Sequence, residues 1–140
     1  MELNRKNIYL IVFGILLTSS AIIIYYNQLQ NSDTETEYGD ISIEEAKTII
    51  VSKPNLVILD VRTQEEYDDS HIEDALLIPI SELEDRLDEL SEDEELLVYC
   101  RTGNRSSSAI NILTRNGFTK VFHMNDGITG WIQAGYPTVK

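Results

Sequence analysis

The chain has 140 residues, a length that suits one globular domain, and a net charge of −13 at pH 7. Residues 33–95 hold 22 acidic and 4 basic residues, whereas residues 96–140 hold 5 basic residues and 1 acidic residue. Because phosphate binding needs a basic face, this charge argues against nucleic acid as a partner, and most of the acids are interpreted as a solvated exterior. The one cysteine, Cys100, excludes a disulfide within the chain.

The N-terminal part of the chain is predicted to cross a membrane. Residues 8–26 contain no charge and no proline, and as a helix they would be roughly 28 Å long, close to the ~30 Å hydrocarbon core of a bilayer. A cleaved signal peptide is the alternative, with Ser19, Ser20 and Ala21 as its small-residue site. Cleavage there would leave an apolar new N-terminus, so a signal-anchor helix is favoured.

The charges around this span predict its orientation. Arg5 and Lys6 precede it, and no base follows it until Lys47. Positive charge is enriched on the cytoplasmic side of membrane spans. We therefore expect residues 1–7 in the cytoplasm, and the globular domain on the extracytoplasmic side, joined to the span by a polar linker over residues 27–39.

Residues 40–140 alternate between helical and strand patterns. Three Ser/Thr-x-x-Glu capping boxes, at residues 42–45, 63–66 and 81–84, predict helix starts. In chain order, the patterns predict a helix over 42–52, a strand over 56–61, a short helix from 63, a strand over 75–80, a helix over 81–91, a strand over 95–100, a helix over 105–117, a strand over 120–124 and a helix over 127–135.

This alternation indicates the fold class. The strand segments are continuous apolar runs rather than alternating ones, which is typical of strands buried on both faces. We predict an α/β fold with a doubly wound, mainly parallel sheet of about five strands and helices on both faces.

Cys100 occupies a notable place in this pattern, at the carboxyl end of a buried strand. In open α/β sheets, ligands bind beyond that end of the strands. The loop that follows leads into a helix start, where free N–H groups and the helix dipole favour an anion. Gly103 permits a positive φ and close approach, while Arg101 and Arg105 add fixed positive charge.

The same features predict a reactive thiol, because an anion cradle also stabilises a thiolate and lowers the pKa of Cys100. The alternative is a buried structural thiol with solvated arginines. The residues that follow Cys100 favour the reactive interpretation, because a thiol that only fills space in the core does not require small neighbours. These small residues are Thr102, Gly103, Asn104, Ser106, Ser107 and Ser108.

Three motifs resemble one family. The stretch "CRTGNRS", residues 100–106, is similar to the active-site loop of single-domain rhodaneses. Residues 58–79, "ILDVRTQEEYDDSHIEDALLIP", resemble the N-terminal signature of that family, and residues 127–137, "GITGWIQAGYP", resemble its C-terminal signature. The resemblance covers about residues 40–137 and implies a rhodanese-like domain over 40–140.

The resemblance implies a sulfurtransferase. Cys100 would take a sulfane sulfur from a small anionic donor such as thiosulfate, forming a persulfide, and would pass it to cyanide or a thiol. No metal or organic cofactor is implied. Arg101 and Arg105 would bind the sulfonate group of the donor, and the loop backbone would hold the persulfide. The implied substrate-binding set is Arg101, Thr102, Gly103, Asn104, Arg105 and Ser106.

Several other residues match family positions. Asp60 and Arg62 are expected to support the loop, with Asp60 either paired with Arg105 or capping the turn after its strand. His71 is expected to be a structural, hydrogen-bonded histidine. His123 is expected to lie in the core for a different reason, because it stands in an apolar strand segment. Trp131 is expected to pack in the core with a partner for its N–H.

Rival functions remain open at this level. Cysteine phosphatases and arsenate reductases need Cys-x5-Arg, whereas Arg105 gives Cys-x4-Arg, a shorter loop that suits a sulfur atom better. A persulfide relay or thiol-binding module serving a membrane protein is the main alternative, and the acidic stretch 33–95 mildly favours it because it repels anionic donors. A non-catalytic scaffold is the third.

Overall fold

A computed structural model describes residues 38–140 of the chain. The predicted cytoplasmic segment 1–7, the predicted membrane span 8–26 and all but the last two residues of the predicted linker 27–39 lie outside the described part. Across residues 38–140, no helix combines the length and the apolar character that crossing a bilayer requires.

The described residues form a five-stranded sheet in the order β1-β5-β4-β2-β3, in which every neighbouring pair is parallel. The strands are β1 Gly39–Ile41, β2 Val57–Asp60, β3 Leu76–Leu77, β4 Leu96–Tyr99 and β5 Val121–Met124. The predicted parallel sheet of about five strands is confirmed. Since all strands run the same way, their carboxyl ends lie along one edge, with β4 in the middle.

Within residues 38–140, four α-helices and one 3₁₀ helix accompany the strands, and all but the last of them lie between two strands. They are α1 Ile43–Ser52, α2 Gln64–Asp69, the 3₁₀ helix Leu83–Glu89, α3 Asn104–Arg115 and α4 Gly127–Gln133. The predicted capping boxes at residues 42–45 and 63–66 are both formed, each with reciprocal side-chain and backbone hydrogen bonds.

The predicted capping box at residues 81–84 is wrong. Glu82, not Ser81, precedes the helix, and it makes no side-chain cap. The segment consists of 3₁₀ turns interrupted at Arg86, whose φ of −119° is not helical. In these tighter turns, N–H groups bond to the carbonyl three residues back, so the α-helical geometry that places an amide over the capping hydroxyl does not form.

Helices cover both faces of the sheet, as predicted. On one face, α1 and α4 bury Ile49 and Trp131 in one apolar cluster with the strands. On the other face, the 3₁₀ helix and α3 bury Leu83 and Leu113 in a second cluster. Each fully buried Leu or Ile contributes about 1.5–3 kcal/mol by leaving water. These two layers hold the carboxyl end of β4 in a fixed position.

Two strands differ from the expectation. The sequence did not predict β1, because its three residues are too few to show a periodicity. The strand predicted over 75–80 is limited to two residues. After it, the N–H groups of Ile78 and Ile80 donate to the carbonyls of the adjacent residues Asp60 and Val61, not to carbonyls two residues apart, so the regular parallel ladder ends. β1 pairs with β5 with Asp40 opposite His123, and this register brings both side chains close to the cysteine loop.

Candidate active site

Cys100 follows β4 directly, at the carboxyl edge of the central strand. Its side chain is buried, with 1% of the residue exposed. The Gly103 N–H donates to the Cys100 Sγ at 3.2 Å, and the Ser106 Oγ lies 3.4 Å from the same sulfur. The loop therefore curls around the sulfur and directs hydrogen-bond donors at it.

Gly103 makes this curl possible. It is the N-cap of α3, with a φ of 92° in the left-handed region. A Cβ atom at this position would also overlap the backbone carbonyl oxygen of Asn125. Two independent reasons therefore require glycine at position 103: the positive φ, and the lack of space for a Cβ beside Asn125.

The start of α4 holds the cysteine loop through backbone hydrogen bonds. The Ile128 N–H donates to the Cys100 carbonyl at 2.9 Å, and the Thr129 N–H donates to the Arg101 carbonyl at 3.1 Å. Gly127 has a φ of 59° and lies against both carbonyls. The first residues of the stretch 127–137 therefore fix the backbone that carries the thiol.

The surroundings of Cys100 favour the thiolate. Burial by itself raises the pKa of the thiol, but hydrogen bonds from the Ser106 side chain and from the backbone of Ser106, Thr102 and Gly103 outweigh it. The net result is a pKa below the ordinary value of a cysteine, in the direction that the sequence predicts. The N-terminus of α3 adds its partial positive charge at the same point.

Arg105 is held by a carboxylate that the sequence did not assign to the site. Its Nη1 and Nη2 donate to the two carboxylate oxygens of Glu66 at 2.6 and 2.8 Å. This bidentate pair is the main reason that the pKa of Glu66 falls to about 2. Glu66 also caps α2 at Thr63, so it ties α2 to the cysteine loop.

Asp60 does not pair with Arg105, and that alternative is wrong. Its carboxylate accepts from the Arg62 side chain, with the shortest contact at 2.6 Å, and from the Arg62 backbone N–H at 3.0 Å. The turn-capping alternative is the one observed. Arg62 also donates to the Ser70 carbonyl at 2.7 Å. Because Asp60 and Arg62 are both buried, their ion pair fixes the turn between β2 and α2.

A groove of about 640 Å³ lies beside the loop, and Arg101 lines it. Arg101 is exposed, as are the acidic Glu65 and Asp69 of α2, which also line the groove. Thr102 and Asn104 are exposed on the same loop. A molecule bound in this groove therefore meets the exposed guanidinium of Arg101 and the exposed carboxylates of Glu65 and Asp69.

A chain of polar side chains runs from Cys100 towards β1. The Ser106 Oγ lies 2.9 Å from the His123 Nε2, and the His123 Nδ1 lies 2.6 Å from an Asp40 carboxylate oxygen. His123 is buried, as predicted, but its ring has two polar partners. One signal could have indicated this, since a polar side chain in a fully buried strand requires partners.

The remaining predicted positions have structural surroundings. The His71 ring stacks on Tyr67 with centroids 3.7 Å apart, and its Nδ1 lies 2.9 Å from the Tyr67 carbonyl oxygen. Trp131 is buried and donates to the Pro137 carbonyl at 2.8 Å. Within residues 38–140, no three His, Cys, Asp or Glu side chains cluster closely enough to hold a metal ion.

Comparison with known proteins gives a consistent family. The rhodanese-like domain matches residues 42–134. YrkF of Bacillus subtilis, described by its name as a candidate sulfur carrier protein, is 37% identical over 101 residues, which are 72% of this chain. The chain spans only 55% of the length of that relative.

A second relative and a solved structure indicate the same family. The thiosulfate sulfurtransferase GlpE of Coxiella burnetii is 35% identical over 89 residues, covering 64% of this chain and 82% of that protein. The crystal structure of a rhodanese-related protein from Thermoplasma volcanium is similar, with a TM-score of 0.66 and 33% identity, covering 73% of this chain and 98% of that one.

Proposed function

The chain belongs to the rhodanese-like domain family, and on that premise we propose that it is a sulfurtransferase that carries a sulfane sulfur on Cys100. The observation that carries the proposal is the sulfur at the centre of a loop of donors. The Gly103 N–H and the Ser106 hydroxyl both lie within hydrogen-bond distance of it. Such a loop stabilises a negative charge on the attacking sulfur and on the persulfide that it forms.

The proposed reaction has two half-steps. The Cys100 thiolate attacks the outer sulfur of thiosulfate, a new S–S bond forms, and the old S–S bond breaks with its electron pair leaving on sulfite. A cyanide ion or a thiolate then attacks the outer sulfur of the persulfide, and the Cys100 thiolate leaves with the bonding pair. No net oxidant or reductant is needed, because the two half-steps balance.

The arginines divide the work of binding the donor. Arg101 is exposed at the groove and is proposed to contact the sulfonate group first. Arg105 is already paired with Glu66, so its proposed role is to hold positive charge near the sulfur at a fixed distance. Guanidinium groups suit this task because they stay charged and present a planar fork of donors.

A second candidate is a persulfide relay that serves a membrane protein as its acceptor. The acidic wall of the groove, with Glu65 and Asp69 exposed, favours it because carboxylates repel small dianions. The relative named as a candidate sulfur carrier supports the same role. Added salt weakens this repulsion, since exposed charges are screened beyond roughly 10 Å at moderate ionic strength.

Intact-protein mass spectrometry tests the proposal. The full chain is kept in mild detergent, treated with thiosulfate, and compared with the Cys100→Ser variant. We expect a gain of one sulfur atom on the parent chain, its absence in the variant and its removal by cyanide. The readout is unambiguous because Cys100 is the single thiol. No added sulfur from thiosulfate or an organic persulfide would refute a sulfurtransferase.

Donor rates separate the two candidates. An enzyme acting on small molecules turns over with thiosulfate and cyanide, and its rate saturates with both. A relay loads slowly from thiosulfate but rapidly from a persulfidated protein. The comparison is made at low and at high salt, because only the small dianion is strongly affected by screening of the acidic groove.

We also propose a location. The apolar span at residues 8–26 and the bases Arg5 and Lys6 support a single-pass anchor with the domain on the extracytoplasmic side. Extraction of membranes at alkaline pH tests the anchor, and protease access in intact cells tests the side. Release of the full chain at alkaline pH would contradict the anchor.

A further inference from the structure

The proposed reaction leaves one buried polar group without a task, the imidazole of His123. It lies between Asp40 in β1 and Ser106 in α3, at 2.6 and 2.9 Å, and Ser106 touches the Cys100 sulfur. The four side chains form one continuous path from the thiol to the edge of the sheet. A purely structural histidine does not need to connect the nucleophile to a carboxylate.

The donors and acceptors on this path fix the state of the ring. An ionised carboxylate only accepts, so the contact with Asp40 assigns a proton to the His123 Nδ1. The Gly103 carbonyl oxygen accepts from the Ser107 N–H at 2.9 Å and also lies 2.9 Å from the Ser106 Oγ. The single hydroxyl proton of Ser106 therefore has three acceptors within reach: this carbonyl, the His123 Nε2 and the Cys100 sulfur. Because Ser107 already donates to the carbonyl, the carbonyl keeps a donor when the hydroxyl proton turns to His123 or to the sulfur.

Two proton arrangements satisfy every group on the path. In the first, the thiol donates to the Ser106 Oγ, and the hydroxyl donates to a neutral His123. In the second, an imidazolium donates from Nε2 to the Ser106 Oγ, and the hydroxyl donates to a thiolate. The two arrangements differ only in the position of two protons, and no heavy atom has to move between them.

We propose that His123 and Asp40 act through Ser106 as a proton relay for Cys100, an inference that deepens the proposed sulfur-transfer site and depends on it for its purpose. The S–H bond breaks as its proton passes to the Ser106 Oγ, and the O–H proton passes to the His123 Nε2. The products are a thiolate and an imidazolium, so the total charge is unchanged. The Asp40 carboxylate stabilises the imidazolium.

The relay has its own contact with water. The Asp40 side chain is 72% exposed, whereas the Cys100 residue is 1% exposed. A donor bound in the groove would contact Arg101 from the side of α2, whose Glu65 and Asp69 line the same groove. A proton can still leave through His123 and Asp40, which lie at the β1 edge of the sheet. The thiol therefore has a proton path that does not cross the substrate path.

Few other charges act on this path within the described residues. β1 contributes Asp40 to His123, α3 contributes Ser106, and β4 places the apolar Val98 opposite His123 in the ladder. On the far side of the sulfur, Arg105 interacts with the charge on Cys100 and is itself held by Glu66. Both of those groups keep a constant charge near neutral pH.

The test is the pH dependence of Cys100 alkylation by iodoacetamide, measured on the full chain in detergent. This reagent reacts with the thiolate, and Cys100 is the single thiol. The variants are Asp40→Asn, Ser106→Ala and their combination. Glu44→Gln is the matched control, because it removes one exposed carboxylate from α1, the helix that follows β1.

We expect Asp40→Asn to move the midpoint of the profile to higher pH and to slow alkylation at pH 7 about threefold to tenfold, a tenfold change being one pKa unit. Glu44→Gln leaves the profile unchanged. In the Ser106→Ala chain, Asp40→Asn has no further effect. A profile for Asp40→Asn that matches Glu44→Gln would overturn the relay, as would an Asp40→Asn effect that persists without the Ser106 hydroxyl.

Nitrogen-15 spectra of His123 give an independent readout if Ser106→Ala does not fold. At a pH where Cys100 is ionised, both ring nitrogens carry protons, and Nε2 loses its proton at the same pH in Cys100→Ser. An Nε2 state that is the same in both chains contradicts the relay. Neither readout requires sulfur transfer, so the two proposals can fail separately. If thiosulfate adds no sulfur to Cys100 but Asp40→Asn still moves the alkylation midpoint to higher pH, the proposed function is refuted and the relay is retained.

Discussion

The cysteine loop has two sides that are built from different kinds of charge. On the β2 side lie two ion pairs, Asp60–Arg62 and Glu66–Arg105. On the β5 side lies the hydrogen-bonded chain Ser106–His123–Asp40, the proposed path of the thiol proton. We infer that the β2 side sets the shape and field of the site, whereas the β5 side exchanges its proton.

One helix start separates the two sides. Arg105 and Ser106 are neighbours in the first turn of α3, and successive helical residues point about 100° apart. Arg105 therefore reaches Glu66 in α2, while Ser106 faces His123 in β5. The comparison teaches that adjacent residues of one loop motif serve separate physical tasks, which single substitutions can distinguish.

The largest expected effect comes from breaking the β2 side at its buried pair. We predict that Asp60→Ala lowers the free energy of unfolding by about 3–5 kcal/mol, because it leaves the Arg62 charge buried without its partner. Urea denaturation measures it. Asp88→Ala, an exposed acid, is the control and should stay within about 0.5 kcal/mol. A loss below about 1 kcal/mol for Asp60→Ala would mean that the β2 side does not hold the turn.

The next effect concerns the loop that both sides share. We predict that Gly103→Ala reduces persulfide formation by more than about 100-fold, because the added Cβ overlaps the Asn125 carbonyl and displaces the amide that faces Cys100.

Gly135→Ala is the control for this change. Its φ of 80° is similarly positive, but nothing lies within 4 Å of the added atom. It should carry only the backbone cost of about 1–2 kcal/mol in stability, with the rate retained. Equal losses of rate in the two variants would show that the Asn125 contact is unimportant.

The smallest expected effect concerns the half-buried pair of the β2 side, Glu66 with Arg105. Glu66→Gln retains the capping box, since Gln also accepts at that position, but loses the charge that pairs with Arg105. We predict a loss of about 1 kcal/mol in the free energy of unfolding at pH 7. A loss of zero would mean that this pair contributes field but no stability.

The pH dependence of that loss sharpens the comparison. The folded pKa of Glu66 is depressed to about 2, below its ordinary value of 4.5. Its contribution to stability is therefore fully present above about pH 4.5 and disappears as the pH falls towards 2. Urea titrations at several acidic pH values should show the two chains converging across this window. A constant difference would contradict the assignment of the pKa shift to Glu66.

Much of the fold could be predicted from local sequence. The buried strands β2, β4 and β5 are continuous apolar runs, and two capping boxes mark α1 and α2. The predicted capping box at residues 81–84 failed because the same letters also occur in a segment of 3₁₀ turns. β1 was missed because three residues are too few to show a periodicity; pairing with β5 and the burial of Ile41 stabilise it.

The site was predictable in part. Cys100, Gly103 and the arginines stand together in one short stretch, so their proximity needed no tertiary information. Glu66, His123 and Asp40 come from three separate elements, and no local pattern connects them to the cysteine. For Asp60, both a local and a distant partner were conceivable from sequence, and the local Arg62 is the one observed.

The sequence by itself determined the parallel α/β class, the position of the cysteine after a buried strand and the loop that surrounds it, because these depend on periodicity, chain order and neighbouring residues. Only the tertiary structure decided which groups meet the thiol from outside that loop. The strand order β1-β5-β4-β2-β3 brings Asp40 opposite His123, 83 residues away, and packing then sets α2 against the loop. Such contacts depend on how the whole chain minimises exposed apolar surface, which no short stretch records.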